Sequence, residues 1–275
     1  MREEPRGFLG WLTKPFRASV PVIPVVRLQG VIASDARAGR LNIATVAPLL
    51  ERAFRGNPPA IAIVVNSPGG SPVQSRLISK RIRDLADEHG TKVMVFVEDA
   101  AASGGYFIAT AGDELIADPS SIVGSIGVIY AGFGFTGTLE KLGVERRVHT
   151  AGKNKSTLDP FLPEKPEDVE RIKAMESEVH QVFIDWVKSR RGAKLKGADD
   201  QLFTGEFWSG VRGLELGLID ALGDVHEVLR ARFGDKVRVR MIAPKRGLFQ
   251  LPRLGLAADL AAAVEDRAMW SRLGL

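Results

Sequence analysis

The sequence predicts an α/β fold organised on a mostly parallel sheet, and three observations carry that reading. Continuous apolar runs at Ala60–Val65 and Val93–Val97 have the length and composition of strands buried on both faces. Stretches with apolar residues at helical spacing separate such runs. Clusters of Gly, Pro and Asn punctuate the joins, as where strands hand over to helices. A length of 275 residues accommodates one such domain with a helical extension.

Taken in order, Pro21–Leu28 reads as a strand closed by Gly30. Leu41–Arg55 carries apolar residues at 43, 46, 49, 50 and 53 and reads as a helix ended by Gly56-Asn57-Pro58-Pro59. The buried strand Ala60–Val65 runs into Asn66-Ser67-Pro68-Gly69-Gly70-Ser71. Arg76–Glu88 is a helix with Leu77, Ile78, Ile82 and Leu85 inward, and Lys92–Val97 is the next strand. A helix follows from Ser103 to about Ala111, then a short strand Glu114–Ala117. Gly124–Tyr130 is apolar and glycine-punctuated, a short helix ends at Glu140–Gly143, and Val144–Thr150 is expected to return as a strand. Beyond Pro163 the character becomes helical. Pro166–Arg191 is long and charged with one apolar face, and Glu206–Leu216 and Val225–Phe233 are shorter helices. Lys236–Ile242 is a last strand before the Ala-rich amphipathic tail Leu256–Leu273. The expected division is an arm over 1–20, a core domain over 21–233, and a strand plus tail over 234–275 that offers an oligomer contact.

Composition narrows the chemistry. The 38 basic and 33 acidic residues leave a net charge of +5, spread along the chain. This does not call for nucleic acid, though it suits an anionic membrane surface. Without cysteine there is no disulfide, thiolate nucleophile or thiolate zinc site. No HExxH, acidic metal cluster or P-loop occurs, so no cofactor is expected. No apolar stretch is long enough for a conventional membrane-spanning helix. Phe8, Leu9, Trp11, Leu12 and Phe16, with Arg6, Lys14 and Arg17, can form a short interfacial helix for peripheral membrane contact.

The stretch Asp99–Phe107 ends an apolar run in small residues and places Ser103 where a helix begins. At such a place backbone N–H groups favour developing negative charge, which suits a nucleophilic serine; the plainer reading is a helix cap. Asn66, Ser67, Pro68, Gly69 and Gly70 follow the carboxyl end of a buried strand, where open α/β sheets bind ligands. The glycines admit a substrate backbone and aim N–H groups at an oxyanion, or they simply make a tight turn. A nucleophilic serine needs a base. Of the four histidines, His89, His180 and His226 sit in surface contexts, and His149 is the one kept as a candidate. The alternative is a desolvated lysine, whose free amine can accept a proton. Lys153 and Lys155 both lie in the Gly-punctuated segment Thr150–Phe161.

Together these segments resemble the signal peptide peptidase A family of Ser-Lys proteases, within the ClpP/crotonase-like group. The matching residues are Asn66–Gly70, Ala101–Tyr106, Val123–Val128, Gly152–Phe161 and Phe203–Asp220, in the family's order. The resemblance implies a ClpP/crotonase-like sheet flanked by helices, with a helical C-terminal extension. It implies Ser103 as nucleophile, Lys155 as general base with Lys153 the runner-up, Gly70 and Gly104 as oxyanion donors, and Ser125 as the hydroxyl that orients the lysine. Asn66, Ser67, Pro68 and Gly69 fall in the implied substrate groove. It further implies endopeptidase action on apolar peptides such as cleaved signal peptides, and ring-shaped homo-oligomers, an octamer among them. Family members usually carry an N-terminal membrane anchor that this sequence lacks, so the expected placement is cytoplasmic or peripheral at the inner membrane. A crotonase-like acyl-CoA enzyme and an inactive membrane-associated scaffold are the competing readings. Neither needs Ser103 and Lys155 together, and nothing in the sequence marks a CoA site.

Overall fold

The apolar runs become the centre of a sheet buried on both sides. The computed structural model describes residues 20–35, 37, 39–244 and 256–275. The arm expected over the first 20 residues therefore lies, apart from Val20, outside the described residues.

The first half of the chain contains β1 (Val22–Gln29), the short pair β2 (Val31–Ile32) and β3 (Arg40–Leu41), α1 (Ile43–Phe54) and β4 (Ile61–Ser67). It continues through α2 (Pro72–His89), β5 (Val93–Ala102), α3 (Gly104–Ala109), β6 (Glu114–Ala117) and β7 (Ile122–Gly124). The second half holds α4 (Thr136–Lys141), α5 (Pro166–Arg191), α6 (Asp199–Leu202), β8 (Phe207–Ser209) and α7 (Gly210–Glu215). It closes with β9 (Ala221–Leu222), α8 (Val225–Phe233), β10 (Arg238–Met241) and α9 (Leu256–Ser271).

The main sheet runs β10-β1-β4-β5-β6-β9, and every pairing along it is parallel. β7 joins the far end of β5, and β8 pairs antiparallel to β7. Strand alternation sends Ile61, Ile63 and Val65 to the face covered by α1, α2 and α3. Ala62 and Val64 go to the opposite face, with Phe96, Ile116 and Leu229 of α8. This two-sided burial is why the strands read as unbroken apolar runs.

Local chemistry sets the helix ends. Asn42 caps α1 in a reciprocal capping box with Thr45. Ser71 caps α2 with Pro72 in its first turn, so the helix starts four residues before the expected Arg76. Gly90, at φ 60°, ends α2 in the left-handed conformation. The expected helix Glu206–Leu216 divides instead into β8 and α7, with Ser209 capping the helix. The expected strand Val144–Thr150 is not a strand here: no neighbouring ladder meets it, and all seven residues are exposed.

The C-terminal end of α5 is tied beneath the sheet. Trp186 stacks on Phe107 with ring centroids 5.4 Å apart, and its indole N–H reaches the Phe107 carbonyl at 3.0 Å. Arg191, 4% exposed, donates to the Gly217 carbonyl and to Asp220 Oδ2 at 2.7 Å. Asp220 also accepts from the Leu115 amide and pairs with Lys194. The buried Tyr106 hydroxyl donates to the Leu218 carbonyl beside this knot, and burial pushes its phenol pKa up. Burial opposes charge on Asp220, but the hydrogen bonds from Arg191, Lys194 and the Leu115 amide outweigh it and hold the carboxyl below its usual range.

A carboxyl held low in the folded state contributes stability that is complete above its unfolded pKa, near about 4, and is lost as pH falls through the depressed folded value. Asp220→Asn is expected to cost about 3 kcal/mol, because it leaves a buried guanidinium without its counter-charge. It should also flatten the acid limb of a plot of thermal midpoint against pH. An unchanged acid limb would show that another carboxylate sets it.

Candidate active site

The site is assembled where β4 and β5 end. β5 leads into Ser103, whose φ of 51° and ψ of −121° are unusual for a residue with a side chain. Its amide donates to the Gly124 carbonyl at 2.8 Å, tying the turn to β7. Its hydroxyl makes no cap bond on α3 and no hydrogen bond to any described residue. The simple capping role is thus not taken up, and the Oγ stands at a strained strand-to-helix turn, the geometry that exposes a nucleophile.

Beside it runs the loop after β4. A Cβ placed on Gly69 would stand 2.8 Å from Ser103 Cβ and 3.0 Å from the Gly104 amide nitrogen. One placed on Gly70, at φ 138°, would stand 2.0 Å from the Ile32 carbonyl oxygen. Both positions therefore require glycine, for space and for backbone conformation. Ile32 clamps the loop, donating its amide to the Gly69 carbonyl and accepting from the Ser71 amide, each at 2.8 Å. The Gly70 and Gly104 amides have no acceptor among the described residues. A Cβ on Gly104 would lie 3.4 Å from the Gly70 nitrogen, so the two amides are neighbours. Two adjacent unpaired N–H groups beside a free hydroxyl are what an oxyanion-stabilising site requires.

Ser103, Gly70, Gly104, Ser125 and Pro68 line one cavity of about 760 Å³. Its walls are largely apolar: Phe107 of α3, Val182 and Phe183 of α5, Val128, Phe207 and Met269. The α9 end that carries Met269 is tethered by Asp266, which pairs at 2.9 Å with Arg40. Ser125 is at φ 53°, with its amide held by the Glu206 carbonyl. The remaining groove residues lie elsewhere. Asn66 and Ser67 are 4% and 0% exposed, and with Gly69 they stay behind the cavity wall, where the Ser67 hydroxyl accepts from the Gly69 amide and the Asn66 carboxamide reaches across to Asp99 of β5.

The candidate bases are not beside Ser103. Lys155 lines a second, shallower cavity with Arg146 and Phe161. Lys153 and His149 are exposed on the same excursion, residues 128–165. That segment packs on itself: Phe135 stacks on Phe161 at 5.5 Å, and Arg146 covers Phe161 while pairing with Asp159. The charged residues on the Ser103 cavity are Arg76 and Arg272, neither of them a base. His180 lies against the Ile126 carbonyl at 3.0 Å instead. Sequence reasoning missed Ile32, whose signal would have been its β-branched chain just after Gly30. It also missed the part played by Val182, Phe183 and Met269. Their signal was the apolar stripe on each helix, and stripe alone does not distinguish core from cavity wall.

A free hydroxyl at a strained turn lies beside two free amides at the carboxyl end of an α/β sheet of the ClpP-like fold. The sequence profile of Peptidase family S49 matches residues 86–237, and the chain belongs to that family. Among curated relatives, the Brucella abortus protein named Na(+)/H(+) antiporter NhaA is 55% identical over 96% of this chain and 38% of its own length. Protease 4 of Haemophilus influenzae is 33% identical over 75% of this chain and 34% of its own. The chain thus spans little more than a third of these relatives. Among solved structures, the 1510-N membrane-bound stomatin-specific protease, as a lysine-to-alanine mutant with a substrate peptide, aligns with a TM-score of 0.53. That alignment covers 90% of this chain and 99% of the other at 18% identity, a likeness of fold. No helix among the described residues is long and apolar enough to cross a membrane.

Gly69→Ala is expected to leave the chain folded, since the sheet is complete without the loop, while driving Ser103 out of line. If Ser103 reacts, a displacement of about 1 Å there should lower kcat about 100-fold. Hydrolysis of a fluorogenic peptide, with circular dichroism as the folding control, checks this.

Proposed function

We propose that this chain is a serine endopeptidase for apolar peptides, with cleaved signal peptides the fitting class. The observation that carries the reading is the unspent Ser103 hydroxyl pressed against Gly69 and beside the Gly70 and Gly104 amides. Lys155 is the base. As the free amine it takes the Ser103 proton while Oγ bonds to the peptide carbonyl carbon. The resulting oxyanion is received by the two amides. The intermediate then collapses, the C–N bond breaks, and the lysine ammonium returns its proton to the leaving amine. Water, deprotonated by the same amine, attacks the ester and releases the acid with Ser103 restored. Ser125 positions the lysine from the cavity wall. The apolar walls supply side-chain subsites, and the helical end of the 234–275 segment closes one of them around the peptidase unit 21–233.

In this reading Lys155 reaches Ser103 from a neighbouring copy, in a ring of which an octamer is one form. Two observations support it. Lys155 and Ser103 line different cavities of one chain. The excursion that bears Lys155 also exposes Ile129, Tyr130, Phe133, Leu142 and Val144, between 52% and 81%, a run of apolar surface that association would bury. The residue types mutated in the 1510-N protease structures, a serine and a lysine, are the same pair. The apolar and basic residues of the first 20 suit attachment at the inner membrane.

Ser103→Ala and Lys155→Ala are each expected to lower peptide hydrolysis about 1,000-fold or more, in line with loss of a nucleophile or its base. Mixing the two inactive variants should restore measurable activity, because some sites then pair an intact serine with an intact lysine. Full activity in Ser103→Ala would refute the nucleophile, and an inert mixture would place both groups in one copy. Since the base acts as the free amine, kcat should climb with pH; a rate flat from about pH 5 to about pH 10 would exclude a lysine base.

A further inference from the structure

β4 and β5 do not pair evenly. Ile61 to Val65 lie opposite Val93 to Val97, one for one, but Ser67 lies opposite Ala101. Two residues of advance on β4 meet four on β5, so β5 carries two extra residues in an irregular bulge at Glu98, Asp99 and Ala100. At the same point β5 changes partners: Met94–Val97 pair with β6, whereas Ala100–Ala102 pair with β7.

The bulge decides where Ser103 stands. With a rise of about 3.3 Å per residue, an even register would carry Ser103 about 7 Å past Gly69. The two residues absorbed in the bulge bring it back to the level of Gly69, within the close approach described above.

One side chain bridges the interrupted ladder. The Asn66 carboxamide is buried, accepts from the Ala100 amide through Oδ1 at 3.2 Å and donates from Nδ2 to Asp99 Oδ2 at 2.6 Å. The Ala100 N–H can only donate, so the carbonyl end of the amide must face it and the NH2 end must face Asp99. The Asn66 backbone carbonyl accepts from Gly30, so β1 fixes the same residue from the other side. Across the bulge, the Ser121 hydroxyl donates to the Val97 and Glu98 carbonyls.

We infer that Asn66 is a positioning residue for the nucleophile: its carboxamide, spanning Asp99 and the Ala100 amide, holds the β5 bulge that sets Ser103 against the Gly69–Gly70 loop. It stands behind the cavity wall and acts on the reaction through the placement of Ser103. The kinetic part rests on the serine peptidase reading.

The test uses the full chain and a reciprocal pair. Asn66→Asp keeps an acceptor for Ala100 but sets a carboxylate against Asp99. Asn66→Asp with Asp99→Asn reverses the pair, so that the new carboxylate accepts from both the Ala100 amide and the new carboxamide. Well below the thermal midpoint of each variant, Asn66→Asp is expected to lower kcat about 100-fold with KM changed less than about twofold. The reciprocal double variant should regain most of kcat. Amide hydrogen exchange over residues 99–105 should quicken in the single variant and return in the double, whatever the activity. An Asn66→Asp variant with wild-type kcat, or a double variant no better than the single, overturns the inference. If the wild type shows no Ser103-dependent hydrolysis, the peptidase reading fails by itself. Exchange then decides alone: the quicken-and-return pattern supports the bridge, and unchanged exchange refutes it.

Discussion

The parallel pairing of β4 with β5 is the constraint on which the rest depends. Both strands end at the same edge, one in the loop that presents Gly70 and the other in the turn that presents Ser103. Neither ending is reactive alone. A hydroxyl without neighbouring donors is an ordinary surface serine, and free amides without a nucleophile are an anion site. The ladder between the strands makes them one site, because backbone hydrogen bonds fix relative position far more tightly than side-chain contacts do.

The packing around that edge keeps it open. Gly69 and Gly70 leave no Cβ where the backbones meet, so the amides come close without a side chain between them. α3 begins directly after Ser103, its buried residues filling the space under α2 and α5. The Arg191–Asp220 pair, the Tyr106 hydroxyl and the Trp186–Phe107 stack tie α5 and the 217–220 segment to this helix. The strain at Ser103 is offset by this surrounding network, which is how an unfavourable φ persists at a functional turn.

The 128–165 excursion follows a different logic. Its aromatic and cation–π contacts are internal, while Ile129, Tyr130, Phe133, Leu142 and Val144 face outward. α5 shows the same division along one helix: Phe183 and Val187 are buried at its C-terminal end, while Met175 and Val182 on the expected apolar face are about half exposed. Apolar residues spaced for burial, yet exposed in a single chain, suit surfaces that a partner covers.

The sequence by itself determined the mostly parallel α/β class, the central strands and the small-residue turns. Those properties are local: continuous apolar runs mark strands buried on both faces, and glycine pairs mark backbone that must pass close to something. Arg76 as a helix start erred by four residues because a Ser-Pro cap outweighs the first apolar repeat, again a local matter. The placement of Ser103, Gly70 and Gly104 was legible for the same reason, each standing beside the end of an element whose type was clear. Only the tertiary structure decided what Asn66 does, which cavity Lys155 lines, and that Val144–Thr150 finds no ladder. Each depends on registers and neighbours between segments far apart in the chain. A strand's period says which face a residue takes; it does not count the two extra residues in β5 that bring Ser103 level with Gly69.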